Sequence, residues 1–293
     1  MNKLTPELRF LLLCGVSLVA GWRSLGEAAA LAWRDDGYSH ILLVLPIAAG
    51  LVSLEWRSWK TVAEANFRIG AVLLGAAVVV AGLAWRGSSW LHPDERLSVS
   101  VLALVTWWIG AFVLCFGTRV SKAALFPLAF LLLMVPFPRS VLDWIIHLLQ
   151  QWSTYAARLL FVVAGVPVAQ DGFRLSIPDL TVEVAKECSS IRSSSMLLVT
   201  TIVLAQLFLR SPWRKALVIA LAVPVSVAKN GLRIFTIAML GTRVDPGFLT
   251  GKLHHNGGVI FFLIALAAMF LVLRLLQRGE KPTAGQALRA VAP

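Results

Sequence analysis

Residues 97–117 read LSVSVLALVTWWIGAFVLCFG, a stretch without a charged side chain. A hydrocarbon core of about 30 Å takes roughly 20 predominantly apolar residues to cross in helical conformation, so the stretch predicts a transmembrane helix. Apolar runs of similar length lie on both sides of it. Together they predict eight crossings, near residues 8–24, 38–54, 67–85, 97–117, 121–137, 189–209, 214–240 and 257–276.

The composition indicates the same class of protein. Hydrophobic residues make up 58% of the chain and the mean hydropathy is +0.79, whereas about 45–50% apolar residues are usual in soluble domains. The net charge of +12 comes from basic residues in short segments between apolar runs, which is typical of membrane orientation and not of a nucleic-acid-binding face. We therefore expect the lipid bilayer, and no nucleic acid, as a partner. The N-terminal run lacks a convincing small-residue cleavage site, so it predicts a first crossing and not a signal peptide.

One helical segment does not fit a crossing. Within residues 139–166, five strongly polar side chains interrupt an apolar pattern, which predicts an amphipathic helix in the membrane interface. With this helix outside the bilayer and the N-terminus in the cytoplasm, basic residues concentrate in the inner connections. The five polar residues are Asp143, His147, Gln150, Gln151 and Arg158.

The segment that follows this helix predicts a small β-hairpin on the outer side of the membrane. Apolar and polar residues alternate over 173–184 on both sides of the turn at Pro178-Asp179. The predicted fold is therefore an all-α polytopic membrane bundle of about eight transmembrane helices, one interfacial amphipathic helix and an extracytoplasmic β-hairpin. We expect residues 1–276 to form a single integral membrane domain and 277–293 a short, disordered cytoplasmic tail.

The candidate nucleophile is a cysteine in VAKECSSIRSSSML, residues 184–197. Ser189 and the serine after it are good N-cap residues, so the Cys188 thiol lies at or just before a helix N-terminus. Unpaired amides and the helix dipole favour a thiolate there, and Arg192 adds positive charge nearby, although an adjacent glutamate opposes it. Alternatively, Cys188 is a buried packing residue, which is the role expected for Cys14 and Cys115.

Polar residues also interrupt the predicted crossing 214–240 in its outer half. Asn230 and Arg233 are three residues apart and share a face with each other. An ionisable group at membrane depth is costly, so Arg233 should face a polar cavity or a partner. The alternative is an arginine that extends its side chain to the outer interface.

Two histidines, His254 and His255, precede the last predicted crossing, again on the outside. An imidazole there can accept or donate a proton near neutral pH, although each could be an ordinary interfacial histidine. The predicted topology brings a thiol, a guanidinium and an imidazole from three helix ends to one face of the membrane.

These segments resemble the exosortase/archaeosortase family of multi-pass membrane cysteine transpeptidases. CSSIRS at 188–193 is similar to the family pattern Cys-Ser-Gly-Leu/Ile-Arg-Ser, with Ser190 where glycine is usual, and NGLRI at 230–234 is similar to Asn-x-x-Arg-Ile/Val. His254 stands four residues before Gly258, as the family histidine precedes its glycine. The topological resemblance covers about residues 30–276, and DGYSH at 36–40 resembles an early family segment.

The resemblance implies a function and a site. Cys188 would be the nucleophile, Arg233 the group that stabilises the oxyanion or holds substrate, and His254 the proton donor, with His255 as the alternate. The implied partners are the C-terminal tails of secreted proteins, with a Pro-Glu-Pro-like motif, a transmembrane helix and a basic cluster. The implied location is the bacterial cytoplasmic (inner) membrane with the site facing the periplasm, in processes tied to exopolysaccharide. Asn230, Ser189, Arg192 and His255 are the predicted substrate-binding residues, and no cofactor or metal is predicted.

Several alternatives stay open at the level of sequence. Cleavage and transpeptidation are both compatible with a thioacyl intermediate, and the oligomeric state is undetermined. A transporter or exopolysaccharide-export subunit would use Lys229, Arg233 and the histidines to line an anion pathway. A serine from 193–195 would be a different nucleophile, although no paired base for it is recognisable in the sequence. The helix 139–166 and the hairpin 173–184 are the predicted docking surface for the substrate tail.

Overall fold

The computed structural model describes residues 5–59, 61, 63–87, 91–184, 191–250 and 252–279. The chain divides into two compact units, Met1–Asp143 and Trp144–Pro293. In chain order the helices are α1 (Pro6–Ala20), α2 (Trp22–Arg34), α3 (Ile41–Trp59), α4 (Phe67–Arg86), α5 (Pro93–Ala123), α6 (Leu125–Phe130), α7 (Arg139–Val163), α8 (Ile191–Phe208), α9 (Pro212–Arg243), α10 (Gly247–Thr250) and α11 (Lys252–Arg278), and the strands are β1 (Ala169–Asp171), β2 (Arg174–Ile177) and β3 (Leu180–Glu183).

The predicted class of a polytopic helical membrane bundle is confirmed. Among the described residues, six helices are long and apolar enough to cross a membrane, or up to eight candidate spans exist if each of two bent helix pairs counts as one. The six correspond to the crossings predicted near 38–54, 67–85, 97–117, 189–209, 214–240 and 257–276. The orientation of the bundle stays a prediction.

The other two predicted crossings differ in form. The run predicted over 8–24 is the 15-residue helix α1, which continues into α2 after a bend of 74° at Gly21. A Cβ at Gly21 would lie 2.5 Å from Leu104 Cδ2 of α5, so glycine permits this close approach at the bend.

The prediction of one crossing over 121–137 is wrong in its bounds. That segment consists of the short helix α6 and a 3₁₀ turn at Leu131–Met134, and α7 begins after a break. Pro136 and Pro138 lie in the break, and proline lacks the N–H that would continue a helix. Hydropathy alone does not detect such an interruption.

Within the first unit, α4 packs closely on α5 through glycines. A Cβ at Gly70 would lie 2.4 Å from Leu114 Cβ, and one at Gly110 would lie 3.0 Å from Leu73 Cβ. Small residues allow helix backbones to approach in this way, as is common in membrane bundles.

The DGYSH segment has a structural place in the first unit. It forms a 3₁₀ turn between α2 and α3, where the Asp35 side chain accepts a hydrogen bond of 2.9 Å from the Gly37 N–H. Tyr38 is fully buried and its hydroxyl donates a 2.9 Å hydrogen bond to the Phe137 carbonyl. The turn therefore fixes the entry to α3 against the segment that precedes α7.

In the second unit, the predicted hairpin is confirmed and extended. Strands β2 and β3 pair antiparallel across Pro178-Asp179, where Asp179 has a φ of 65°. Proline followed by a residue with positive φ matches the φ signs of a type II turn. A third strand, β1, pairs with β2 in the order β1-β2-β3, which the sequence analysis did not predict.

The sheet packs its apolar face on two helices. Alternate residues of β2 and β3 point to one side, where they are covered by α7 and α9. Phe161 of α7 and Phe235 of α9 make an edge-to-face contact beside this core, with ring centroids 5.0 Å apart. The buried residues of the core are Ala157, Phe161, Val166, Leu175, Ile177, Val184, Ile234 and Ala238.

The long helix predicted near 139–166 is confirmed as α7. It buries Ala157 and Phe161 against the sheet and exposes large apolar side chains, including Trp144 and Trp152, on its other side. Its position in the membrane interface stays a prediction. A separate core joins α8, α9 and α11 through Leu197, Ala205, Leu209, Val218, Ala222, Ala265, Met269 and Leu273.

Candidate active site

The predicted site residues are described to different extents. Cys188 and Ser189 lie outside the described residues, in the part of the sequence that joins β3 to α8. Arg192 is an exposed residue in the first turn of α8. His254 and His255 lie in the first turn of α11, and their side chains are outside the described part of the structure.

Asn230 and Arg233 lie on α9 and line one cavity, as their shared helix face predicts. Asn230 is 1% exposed and Arg233 is half-buried. The cavity has a volume of about 200 Å³ and lies between α9 and strand β3. It is lined by Leu180, Thr181, Val182, Glu183, Val184, Asn230, Arg233, Ile234, Ile237 and Ala238.

The end of β3 is held by α7. The Val184 N–H donates a 2.9 Å hydrogen bond to the Phe173 carbonyl, and the Val184 carbonyl accepts a hydrogen bond from Gln150 Nε2. Val184 is 0% exposed and Gln150 is 7% exposed. Their hydrogen bond therefore satisfies a buried carbonyl and a buried amide. Val184 is four residues before Cys188, and this bond fixes the chain where the cysteine segment begins.

Helices α7 and α9 approach closely at the glycine between Asn230 and Arg233. A Cβ at Gly231 would lie 2.6 Å from Ala156 Cβ and 3.0 Å from the Ala156 carbonyl carbon. The glycine is therefore required for this helix spacing, and the spacing sets the position of Arg233 relative to β3.

One hydrogen-bonded pair of polar residues joins two helices and was not predicted from the sequence. Lys229 of α9 is 5% exposed, and its Nζ donates a hydrogen bond to the Ser193 hydroxyl of α8. Lys229 is thus a basic partner for Ser193 that is distant in the chain. The two residues are 36 positions apart in sequence, so no local pattern pointed to the pair.

The surroundings of the cavity carry positive charge from α9. Arg233 lines the cavity, whereas Lys229, four residues before it, donates to Ser193 of α8 and is not among the lining residues. A guanidinium in a partly enclosed cavity attracts anionic groups more strongly than it would in bulk water. The arrangement is suited to binding a carboxylate or to stabilising an oxyanion.

No metal site is visible among the residues that the structure describes. Within those ranges, no group of three or more His, Cys, Asp or Glu side chains is positioned to hold a metal ion.

Comparison with known proteins supports the resemblance seen in the sequence. The sequence model of the transmembrane exosortases matches residues 32–271. This range agrees with the 30–276 of the resemblance and includes every predicted site residue. No curated protein and no solved structure shows significant similarity to the chain.

Proposed function

The chain belongs to the transmembrane exosortase family, and from this membership we propose that it is a cysteine-type peptidase and transpeptidase. Its proposed substrates are secreted proteins that end in a sorting tail: a short Pro-Glu-Pro-like motif, a transmembrane helix and a basic cluster. The reaction takes place at the periplasmic face of a bacterial cytoplasmic membrane and serves export tied to exopolysaccharide.

One observation supports this proposal most directly. Arg233 and Asn230 line a cavity with β3, and β3 ends a few residues before Cys188 in the sequence. The cavity is largely apolar, and an arginine beside it is costly at membrane depth unless its side chain meets a polar partner or a ligand. The family membership also favours an enzyme over a transporter or an export subunit.

The proposed chemistry uses three groups. The Cys188 thiolate attacks the carbonyl carbon of the scissile peptide bond, and the Arg233 guanidinium stabilises the oxyanion that forms. The C–N bond then breaks as His254, or His255 as the alternate, gives a proton to the leaving amine. The tail is released, and the secreted protein remains attached to Cys188 as a thioester.

A second nucleophile resolves the thioester. An amine gives transpeptidation and water gives hydrolysis; in both cases the attacking group loses a proton to the histidine as the Cys188 thiolate leaves. Ser189, Arg192 and Asn230 are proposed to contact the peptide near the bond that is cut.

The Ser193–Lys229 pair supports a second candidate mechanism. A serine hydroxyl paired with a buried lysine amine is a known arrangement for nucleophilic catalysis in peptidases. In this alternative the neutral Lys229 amine accepts the Ser193 proton, Ser193 attacks the peptide carbonyl, and an ester replaces the thioester. The hydrogen bond between the two side chains is the observation that favours it.

Processing of a reporter separates the two mechanisms. A secreted reporter with the proposed tail is co-expressed with each variant, and the loss of the tail is followed on immunoblots. With Cys188 as nucleophile, C188A abolishes processing and R233Q lowers its rate by about 10²–10³-fold, as expected for loss of an oxyanion donor. The control is C14A, a half-buried cysteine of α1, which should process at the wild-type rate.

The covalent intermediate gives an independent result. Neutral hydroxylamine cleaves a thioester readily and leaves an ordinary ester intact, so it releases the reporter only from Cys188. If C188A processes normally while S193A and K229M do not, the serine mechanism replaces the cysteine mechanism. Normal processing in all three variants would exclude both.

A further inference from the structure

Strand β3 is an edge strand whose outer side carries backbone groups directed at the cavity. Because the Val184 N–H donates to the Phe173 carbonyl, residues 173 and 184 form a hydrogen-bonded pair of the antiparallel ladder. Such pairs alternate with pairs that do not share hydrogen bonds. By the observed register, Val182 bonds to β2, whereas the N–H and C=O of Thr181 and Glu183 point away from it.

These outward groups have no strand partner in the described part of the chain. The sheet order is β1-β2-β3, so β3 pairs on one side only within those residues. Thr181 and Glu183 both line the cavity with Arg233. The cavity thus offers backbone donors and acceptors along one wall and a guanidinium on the other.

Two charged side chains, those of Glu183 and Arg233, line this cavity. The Glu183 carboxylate accepts a 3.0 Å hydrogen bond from Arg174 Nε on the exposed face of the sheet, so its charge is balanced there. Arg233 adds a positive charge on the α9 side. The cavity therefore carries one acidic and one basic side chain beside the free backbone edge, and the main chain of β3 is the feature that a bound peptide can match.

We propose that an extended segment of the peptide substrate binds along β3 as a fourth strand of the sheet. This inference rests on the proposed peptidase function and adds how the substrate is held. Strand addition to a free edge uses main-chain hydrogen bonds for affinity and side-chain pockets for specificity.

Proline substitutions test the edge. Thr181→Pro and Glu183→Pro each remove an outward N–H, while the bonds between β2 and β3 use other residues. The matched control is Gln170→Pro on β1, whose N–H points away from β2 by the same alternation. We expect T181P and E183P to process the reporter at least tenfold more slowly than wild type and Q170P to process it at the wild-type rate.

Peptide binding provides a second test that does not depend on how the variants fold. A fluorescein-labelled peptide with the Pro-Glu-Pro-like motif is titrated against the full-length C188A protein in detergent, and its anisotropy gives the Kd. N-methylation of single residues removes one N–H at a time. Strand addition predicts a loss of affinity at alternate residues only, because alternate N–H groups face the neighbouring strand.

The outcomes separate this inference from the proposed function. Processing by wild type, T181P and E183P at equal rates, or an N-methyl effect without a two-residue period, overturns strand addition and leaves the peptidase intact. Alternating binding effects in C188A, with no processing of the reporter by wild type, would support the binding mode and overturn the peptidase.

Discussion

Substitution of Gly231 by alanine tests whether the spacing of α7 and α9 controls the site. The added Cβ would lie 2.6 Å from Ala156 Cβ and 3.0 Å from the Ala156 carbonyl carbon and the Ala157 nitrogen. Carbon atoms pack best at about 3.5–4.0 Å. Two of the three neighbouring atoms belong to the backbone, so a side-chain rotation cannot relieve the contact and the helices must separate by about 1 Å.

The expected magnitudes differ for stability and for activity. Overpacking costs about 1–3 kcal/mol, and alanine returns about 1 kcal/mol because it favours the helix over glycine. The net loss of unfolding free energy is therefore about 0–2 kcal/mol. Arg233 follows Gly231 on the same helix by two residues, and a displacement of about 1 Å at a catalytic group can cost about 100-fold in rate.

The assay measures reporter processing and thermal unfolding in detergent for G231A and for G75A. A Cβ at Gly75 of α4 meets no atom within 4 Å, so G75A makes the same chemical change in an open position. We expect G231A to lose most of its activity while it remains folded, and G75A to keep it. Wild-type processing by G231A would refute the view that this helix contact positions Arg233.

Three further predictions concern the scaffold. Gln150→Leu leaves the buried carbonyl at the end of β3 without its donor, so unfolding free energy should fall by about 1–3 kcal/mol, measurable as a lower Tm. Gly117→Ala should prevent accumulation of folded protein in membranes, because Gly117 has a φ of 81° and its Cβ would lie 1.7 Å from the Glu64 carbonyl oxygen; Gly15→Ala is the open control. Arg139→Gln breaks ion pairs of 3.4 and 3.9 Å between exposed groups and should change stability by less than about 1 kcal/mol, with no difference from wild type at high salt.

Hydropathy was sufficient to predict the bounds of the apolar helices that have no interruption. The predicted crossing 67–85 and the observed α4, Phe67–Arg86, agree closely, because a long apolar run has no other stable state in lipid. The prediction failed at 121–137, where a kink at Gly117 (φ of 81°) precedes the last turns of α5 and the prolines at 136 and 138 lie in the break before α7. The three-residue strand β1 was missed because it is too short to show an alternating pattern.

Within the site, the spacing of residues along the sequence predicted only which side chains of the same helix lie together. Asn230 and Arg233 share a cavity because residues three apart share a helix face. The pair of Ser193 and Lys229 depends on how α8 packs on α9, and no periodicity within either segment encodes that contact. The same holds for the bond from Gln150 to the end of β3, which joins residues 34 positions apart.

Helix α7 carries no predicted catalytic residue, yet both walls of the cavity depend on it. Gln150 holds β3 through the Val184 carbonyl, and Ala156 with Ala157 sets how near α9 can come at Gly231. Because one rigid helix contacts both walls, a shift of α7 moves β3 and α9 relative to each other and changes the distance that the substrate must bridge. Precise sites require such support from groups that never touch the substrate. Substitutions on this face of α7 should therefore lower the rate of processing in addition to any loss of stability.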